Sequence, residues 1–233
     1  MKIFTLSELL ILLSINVLSD DTIISSSLLR LHTNETITLM YNQIQPEDIK
    51  PSYKAFYGGM VCYYRIIQEG KLENRRYLTV IDFSISSKLK RLWVIDLETM
   101  QIVHHSYVSH GKNSGDEYAI RFSNIPKTNM SSLGFYITGS TYQGKYGLSL
   151  YLDGIEPGIN DNVRKRAIVI HSAPYATQNF ISKYGRLGRS YGCPALPPAK
   201  SSAIIETIKN RSCLFIYYPD KSYLIYSYYL NSI

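Results

Sequence analysis

Short apolar runs separated by turn-forming residues fill the chain from residue 77 to its end. The runs are rich in Val, Ile, Tyr and Phe, which are typical of β-strands, and Gly, Asn or Pro stand between most of them. Because no helices alternate with the runs, the pattern predicts a mostly antiparallel sandwich or barrel. The predicted strands are 77–84, 91–97, 102–109, 118–122, 135–139, 148–152, 167–171, 213–218 and 223–230.

Two segments carry helical patterns. The first, 52–67, begins at Ser52, a favourable N-cap residue, although Gly58 and Gly59 interrupt it. The second, 199–210, follows a pair of prolines and places isoleucines on one face. With the strands, these helices predict one β-rich domain over residues 51–233.

The N-terminal segments are expected to lie outside that domain. Residues 1–19 combine an early Lys, an apolar run and small residues at a suitable cleavage position, which predicts a signal peptide; a buried N-terminal helix is the alternative. Residues 20–50 are polar and irregular, and are interpreted as an arm or linker. No other stretch approaches the roughly 18 apolar residues of a membrane span, so the mature chain should be soluble or peripheral.

Composition and charge narrow the class of partner only slightly. Hydrophobic residues make up 45% and charged residues 18%, as in a globular protein, and the net charge is +7. A basic exported protein meets anionic partners such as lipid headgroups, wall polymers or acidic peptides. The basic residues are scattered rather than arranged in a stripe with aromatics, so nucleic acid is not expected. The 21 tyrosines suit strands or a binding groove, and AT-rich coding explains them equally well.

Three cysteines cannot all pair within one chain. Cys62 and Cys213 lie in apolar segments, where cysteine usually serves as a small hydrophobic residue; whether they pair stays open. Cys193 lies instead among Gly, Pro and Ser in a turn. It is therefore the candidate for a reactive thiol.

His171 ends the apolar run 167–171 and is the candidate partner of Cys193. A neighbouring histidine favours the thiolate that acts as a nucleophile. Successive N–H groups of Tyr191, Gly192 and Cys193 are candidates for an oxyanion hole. The plain alternatives are a simple turn and a core histidine bonded to a carbonyl. Arg186 and Arg189 lie between the two candidates and would bring positive charge toward them.

Other arrangements fit the sequence less well. His104 and His105 are adjacent on a predicted strand and should point to opposite faces, so they should not share a metal ion with His110. The segment 111–115 and the loop 142–147 lack the Lys-Ser/Thr ending of a phosphate-binding loop. No pair of carboxylates has a spacing that requires glycosidase chemistry.

The chain resembles the L,D-transpeptidase superfamily with the YkuD-type catalytic domain, and within it the murein L,D-transpeptidase branch. That superfamily carries a His and, about twenty residues later, Ser/Thr-x-Gly-Cys, which correspond to His171 and residues 190–193. The similarity covers roughly residues 55–218. Further segments resemble the branch in the same order: 78–103, 110–115, 122–124, 131–139, 142–161 and 168–175.

The resemblance implies a mainly β fold, a YkuD-like β-sandwich with a few flanking helices, exported to the periplasm or cell envelope. It implies a cysteine acyltransferase acting on peptidoglycan stem peptides, with Cys193 as nucleophile, His171 as acid and base, and neither a metal nor an organic cofactor. The acceptor of the acyl group would be an amine of a second stem or of an envelope lipoprotein. Motif position also makes Ser190 and Tyr142 candidate substrate-binding residues.

The chain departs from the superfamily at two positions. Many members have His before the Gly-Cys and Arg two residues after the Cys, where this chain has Tyr191 and Ala195. Arg189 or Arg186 is expected to replace the missing substrate-carboxylate contact, since a guanidinium binds a carboxylate bidentately. The alternatives to a transpeptidase are an L,D-carboxypeptidase using water, an ordinary cysteine peptidase or amidase, and a catalytically silent wall-binding module.

Overall fold

A computed structural model describes residues 22–231 of the chain, and its centre is one hydrogen-bonded sheet of eight strands in the order β3-β2-β1-β8-β4-β5-β6-β7. The pairs β1–β8 and β6–β7 are parallel and the other five are antiparallel. The mainly β fold with a few flanking helices is therefore confirmed. The strands are β1 Tyr77–Asp82, β2 Leu92–Asp96, β3 Gln101–Ser106, β4 Gly134–Gly144, β5 Gly147–Gly154, β6 Val169–Ser172, β7 Ala195–Leu196 and β8 Cys213–Tyr217.

Helices flank this sheet. The described α-helices are α1 Thr22–Gln43, α2 Tyr53–Gln68, α3 Gln178–Tyr184, α4 Pro198–Ile208, α5 Lys221–Tyr226 and α6 Tyr228–Asn231, with a 3-10 turn at Glu47–Ile49. Ser52 caps α2 as predicted, because its hydroxyl accepts the N–H of Ala55. Gly58 and Gly59 do not break α2. They face Phe215 and Leu78 so closely that they let the helix approach the sheet.

Three segments differ from the sequence predictions. The arm 20–50 is largely helical, because Ile37 and Ile44 stand on one face of α1 and its end and are fully buried. The segment 118–122 is a turn rather than a strand, since the carbonyl of Ser114 accepts two successive N–H groups there. The segment 223–230 lies in α5 and α6, and Asp220 caps the start of α5 by accepting the N–H of Tyr223.

The two edges of the sheet meet beside the predicted site. Ser109, which follows edge strand β3, forms an antiparallel bridge with Ala195 of the opposite edge strand β7. Its N–H donates to the Ala195 carbonyl at 2.9 Å, and Gly111 forms a second bridge with Ser190. The sheet therefore closes on itself like a barrel, and the loop that carries Cys193 lies in the seam.

None of the helices in residues 22–231 is long and apolar enough to cross a membrane. The predicted signal peptide, residues 1–19, lies outside the described residues.

Candidate active site

Cys193 lies just before β7, and its sulfur contacts the backbone that leads into β6. Sγ accepts the N–H of Val169 at 3.5 Å and donates to the carbonyl of Ala167 at 3.8 Å. Ala167 has a φ of 52°, a left-handed conformation that is rare for alanine. Burial raises the pKa of the thiol, although the Val169 N–H and the nearby charge of Arg166 lower it. The resting group is therefore a neutral thiol held in a pocket of backbone atoms.

His171 is buried in β6 and pairs with Ala195 of β7. Its Nδ1 is hydrogen-bonded to the carbonyl of Ser172 at 2.8 Å, which requires a proton on Nδ1 and leaves Nε2 free to accept one. Burial lowers the pKa of the imidazole, although the Ser172 carbonyl opposes that shift. The orienting group that sequence could not identify is this neighbouring carbonyl.

The parallel β6–β7 pair brings His171 and Cys193 onto adjacent backbone segments. Within the described residues, however, no hydrogen bond joins Nε2 to Sγ. The thiol must leave the carbonyl of Ala167 before its proton can reach the imidazole. Neutral imidazole and neutral thiol form a consistent resting pair, since burial disfavours both charged forms.

The side chain of Ser190 stabilises the turn formed by residues 190–193. The Ser190 hydroxyl donates to the carbonyl of Cys193 at 2.6 Å and accepts the N–H of Gly192 at 3.0 Å. The Gly192 amide is thus occupied, whereas those of Tyr191 and Cys193 make no backbone hydrogen bond among residues 22–231. Of the three amides expected to form an oxyanion hole, that of Gly192 therefore already has an acceptor. Ser190 is buried and holds the turn together, instead of lining a groove as predicted.

Gly192 is held against the loop 123–132. Its φ is 128°, and a Cβ at this position would lie only 2.7 Å from both Ile168 Cδ1 and the Met130 carbonyl, so there is no room for a side chain. Ser131 donates its hydroxyl hydrogen to the Gly192 carbonyl at 3.0 Å. The turn that carries Cys193 therefore packs against that loop.

Arg166 also holds this loop, a role that the sequence did not indicate. Its guanidinium donates to the carbonyls of Ser123 and Met130, each at 2.5 Å, and to the hydroxyl of Ser132 at 2.6 Å. Its charge also acts on Cys193. With its donors directed to backbone and hydroxyl oxygens, Arg166 stabilises the site without being available to a ligand.

Arg189 and Arg186, the predicted substrate-carboxylate contacts, both lie against Asp116. Arg189 Nη1 is 2.5 Å from the Asp116 carboxylate and also donates to the carbonyls of Lys112 and Gly115. Arg186 Nε is 3.9 Å from the same carboxylate. Both guanidinium groups thus share one acidic partner, Asp116, and the predicted contact with a substrate carboxylate stays a prediction.

A tyrosine that the sequence did not single out reaches His171. Tyr146, at the tip of the β4–β5 hairpin, stacks on the imidazole with ring centroids 5.3 Å apart. Tyr142, the predicted groove residue, instead stacks on Tyr151 of the same hairpin at 4.5 Å. Tyr175 is a further tyrosine near these residues, and burial raises the pKa of its hydroxyl. The stacked ring of Tyr146 therefore covers one face of the imidazole.

His110 supports the site through its backbone. The fully buried Arg91 donates to His110 Nδ1 at 2.8 Å, and His110 Nε2 bonds the carbonyl of Gly115 at 3.2 Å. Burial lowers the pKa of His110 to about 3, and Arg91 adds to the shift. The carbonyl of His110 accepts the N–H of Ser190. The backbone of His110 thus holds the first residue of the turn that carries Cys193.

His104, His105 and the other two cysteines have their contacts elsewhere in the fold. His104 bonds Thr207 of α4, whereas His105 stacks on Trp93 of β2, which confirms that the two rings face opposite sides. Cys62 and Cys213 are fully buried and interact with each other as free thiols. Only Cys193, of the three, is partly accessible.

A groove of about 550 Å³ lies on the far side of the loop 123–132, between that loop and α5. Phe122, Met130, Tyr223 and Tyr226 are among its lining residues. Neither Cys193 nor His171 lines it.

Solved structures with partial similarity include L,D-transpeptidases. One from Mycobacterium smegmatis shares 12% identity over 61% of this chain and 59% of its own, with a TM-score of 0.39. L,D-transpeptidase 1 from Mycobacterium tuberculosis shares 11% over 61% and 62%, with a TM-score of 0.34. The helical cell shape determining protein Pgp2 from Campylobacter jejuni shares 14% over 62% and 48%, with a TM-score of 0.41. This chain thus spans about half to three fifths of these proteins.

No curated protein sequence matches the chain. Residues 48–217 match the L,D-transpeptidase catalytic domain family YkuD_2. That stretch starts just before α2, ends with β8 and includes both His171 and Cys193. Because it takes in well over half of the sequence, the chain belongs to the L,D-transpeptidase catalytic domain family.

Proposed function

We propose that this protein is a cysteine-dependent L,D-transpeptidase that acts on peptidoglycan stem peptides. Cys193 is the nucleophile, and it attacks the carbonyl at the L-centre of a diamino acid whose next residue is a terminal D-Ala. The observation that carries the proposal is the position of Cys193, the one partly accessible thiol, beside the strand paired with His171 and inside the family match.

Proton transfer between His171 and Cys193 drives both halves of the reaction. Nε2 of His171 accepts the thiol proton as Sγ bonds to the carbonyl carbon, and the imidazolium then protonates the departing D-Ala nitrogen. The C–N bond breaks and a thioester remains. The bond from Nδ1 to the Ser172 carbonyl favours the tautomer that this step requires and stabilises the imidazolium.

The negative oxygen of the tetrahedral intermediate is stabilised by the turn that carries the nucleophile. The amides of Cys193 and Tyr191 are the available donors, because the Gly192 amide is engaged by Ser190. Each such donor contributes about 2.7–4 kcal/mol to the transition state in related acyl-transfer enzymes. Ser190 acts by fixing the turn that carries these amides.

In the second half-reaction an amine acceptor attacks the thioester. His171 takes a proton from the amine, and Cys193 leaves and recovers its proton. We place the acceptor amine on a second stem peptide, which gives a cross-link between stems. A lipoprotein lysine would give an envelope anchor, and water would give an L,D-carboxypeptidase. This activity fits export to the cell envelope by the predicted signal peptide.

The test is D-Ala release and cross-link formation from a purified tetrapeptide with a diaminopimelate third residue. Wild-type protein should release D-Ala and form a dimer, and Cys193→Ala should do neither while remaining folded. Release without dimer would indicate water as acceptor. Cleavage of an all-L peptide at the same rate would contradict the proposal and favour an ordinary cysteine peptidase.

A further inference from the structure

The position that carries an arginine in many relatives is closed to substrate here. Ala195 is fully buried, paired with His171 on one side and bridged to Ser109 on the other. Arg166 is engaged by loop oxygens, and Arg186 and Arg189 are paired with Asp116. A carboxylate beside Cys193 must therefore find another cation.

Lys112 is held beside the nucleophile turn by its backbone. Its N–H donates to the carbonyl of Ser190 at 2.8 Å, and its own carbonyl accepts a hydrogen bond from Arg189 at 3.2 Å. The ammonium lies 4.6 Å from the centre of the Tyr191 ring, a cation–π contact two residues from Cys193. The backbone of Lys112 is thus tied to the turn that carries Cys193, and its ammonium contacts the ring of Tyr191 in that turn.

The charge of Lys112 is uncompensated. Both Lys112 and Tyr191 are exposed, and Lys112 forms no ion pair with a carboxylate among the described residues. A cation–π contact leaves the donors of the ammonium on the solvent side available to an anion. Lys145 is the comparable cation on the other wall of the site, where it lies 5.6 Å from the ring of Tyr146.

The proposed donor peptide carries an anion, its terminal carboxylate, close to the carbonyl that Cys193 attacks. In a peptide that ends one residue after the scissile bond, the terminal carboxyl carbon is three bonds from the attacked carbon. That distance is at most about 4 Å. A cation fixed beside the nucleophile turn is suited to recognise this carboxylate and so to select a terminal residue.

We propose that Lys112 binds the C-terminal carboxylate of the donor peptide and replaces the arginine that Ala195 displaces. This inference rests on the proposed function. It adds the residue that selects the leaving group, which is the terminal residue of the donor peptide. It assigns no such role to Arg186 or Arg189.

The first test compares two tetrapeptides, one ending in D-Ala and the other in D-alaninamide. Wild type should prefer the carboxylate peptide in kcat/KM by about ten- to a hundredfold, the range of a charge-assisted hydrogen bond. Lys112→Ala should lose this preference by raising KM for the carboxylate peptide alone, and Lys112→Arg should retain most of it. Lys54→Ala, which removes an exposed charge from α2, is the matched control.

Unchanged preference in Lys112→Ala would overturn the assignment. So would loss of preference in Lys145→Ala with Lys112→Ala unaffected, because the carboxylate would then lie on the opposite wall.

A second test does not depend on the peptide substrate. Cys193 is treated with an aromatic disulfide carrying carboxylates, 5,5′-dithiobis(2-nitrobenzoate), and with the neutral 2,2′-dithiodipyridine. Lys112→Ala should lower the rate ratio of anionic to neutral reagent about three- to tenfold, and Lys54→Ala should leave it unchanged. An unchanged ratio in Lys112→Ala contradicts the inference. If wild type processes neither peptide, the proposed function fails, and the reagent ratio still decides whether Lys112 presents its charge to the thiol.

Discussion

The ring of Tyr146 stacks on the imidazole of His171, with centroids 5.3 Å apart and planes inclined by 25°. Half of the tyrosine is exposed, and its hairpin reaches the imidazole from outside the β6–β7 pair. The stack covers one face of the proposed base. It limits the rotation of the ring, whose other restraint is the bond to the Ser172 carbonyl.

Acylation of Cys193 should be slowed by removing the ring of Tyr146 and not by removing its hydroxyl alone. Tyr146→Ala should lower the rate about fivefold, the effect of losing an aromatic contact of roughly 1 kcal/mol, and Tyr146→Phe should stay near wild type. The measurement is the single-turnover rate of acyl-enzyme formation. Equal loss in both variants would show that the hydroxyl, and not the stack, is what matters.

The pKa of the Cys193 thiol and the pKa of the His171 imidazole are shifted in opposite directions, and both shifts should be visible in pH profiles. Because burial raises the pKa of Cys193, alkylation by iodoacetamide should keep rising beyond pH 9, the ordinary thiol value. Because burial lowers the pKa of His171, the base stays neutral to below pH 6.5. The acid limb of kcat/KM should therefore lie below that value.

His171→Gln should remove that acid limb and lower kcat/KM about 10²- to 10⁴-fold, the usual contribution of a general base. Alkylation across a pH series, followed by peptide mapping, reports the ionisation of the Cys193 thiol separately from that of His171. A thiol half-ionised near neutral pH would mean a preformed thiolate–imidazolium pair and would contradict the neutral resting state.

Gly192→Ala should lower the free energy of unfolding more than the same change at another glycine with positive φ. A methyl group at Gly192 meets Ile168 and the Met130 carbonyl at 2.7 Å, whereas Gly158, with a φ of 76°, has open space around it. Gly158→Ala should cost about 1 kcal/mol in unfolding free energy from backbone strain alone, and Gly192→Ala about 3 kcal/mol. Denaturant unfolding of the two variants is the comparison, and equal losses would show that the turn can shift away from its loop.

Arg166 should matter far more to stability than its neighbour Arg164. Arg166→Met leaves several oxygens of the loop 123–132 without a donor, which should cost about 3 kcal/mol and slow acylation of Cys193. Arg164→Met removes an exposed pair with Asp153 and should cost less than about 1 kcal/mol. A small effect of Arg166→Met on both readouts would show that the loop does not support the nucleophile.

Local sequence patterns predicted those parts of the structure that depend on residues adjacent in the sequence. The capping of α2 by Ser52 and the strand that carries His171 near its end follow from short-range chemistry, and both are present. The segment 223–230 shows the limit of this reasoning. Its tyrosines suit a strand, but buried Glu156 accepts hydrogen bonds from Tyr223 and Ser227 and so holds them in a helical arrangement.

The ion pairs of Arg186 and Arg189 with Asp116 could not be inferred from the sequence for the same reason. Arg189 lies near Cys193 in sequence, but its partner Asp116 lies 73 positions away along the chain. Tyr146 reaches His171 only because β5 pairs with β6. Contacts of this kind depend on strand order, which the pattern of apolar and polar residues did not specify.

The central claim is that Cys193 is the nucleophile of an acyl-transfer site. Its most direct test is the intact mass of the protein after incubation with a carbapenem, measured for wild type and for Cys193→Ala. A single drug-sized adduct on wild type that is absent from the variant is the predicted result, since Cys62 and Cys213 are buried. A well-folded wild-type protein that forms no adduct, or a variant that still forms one, would contradict the account.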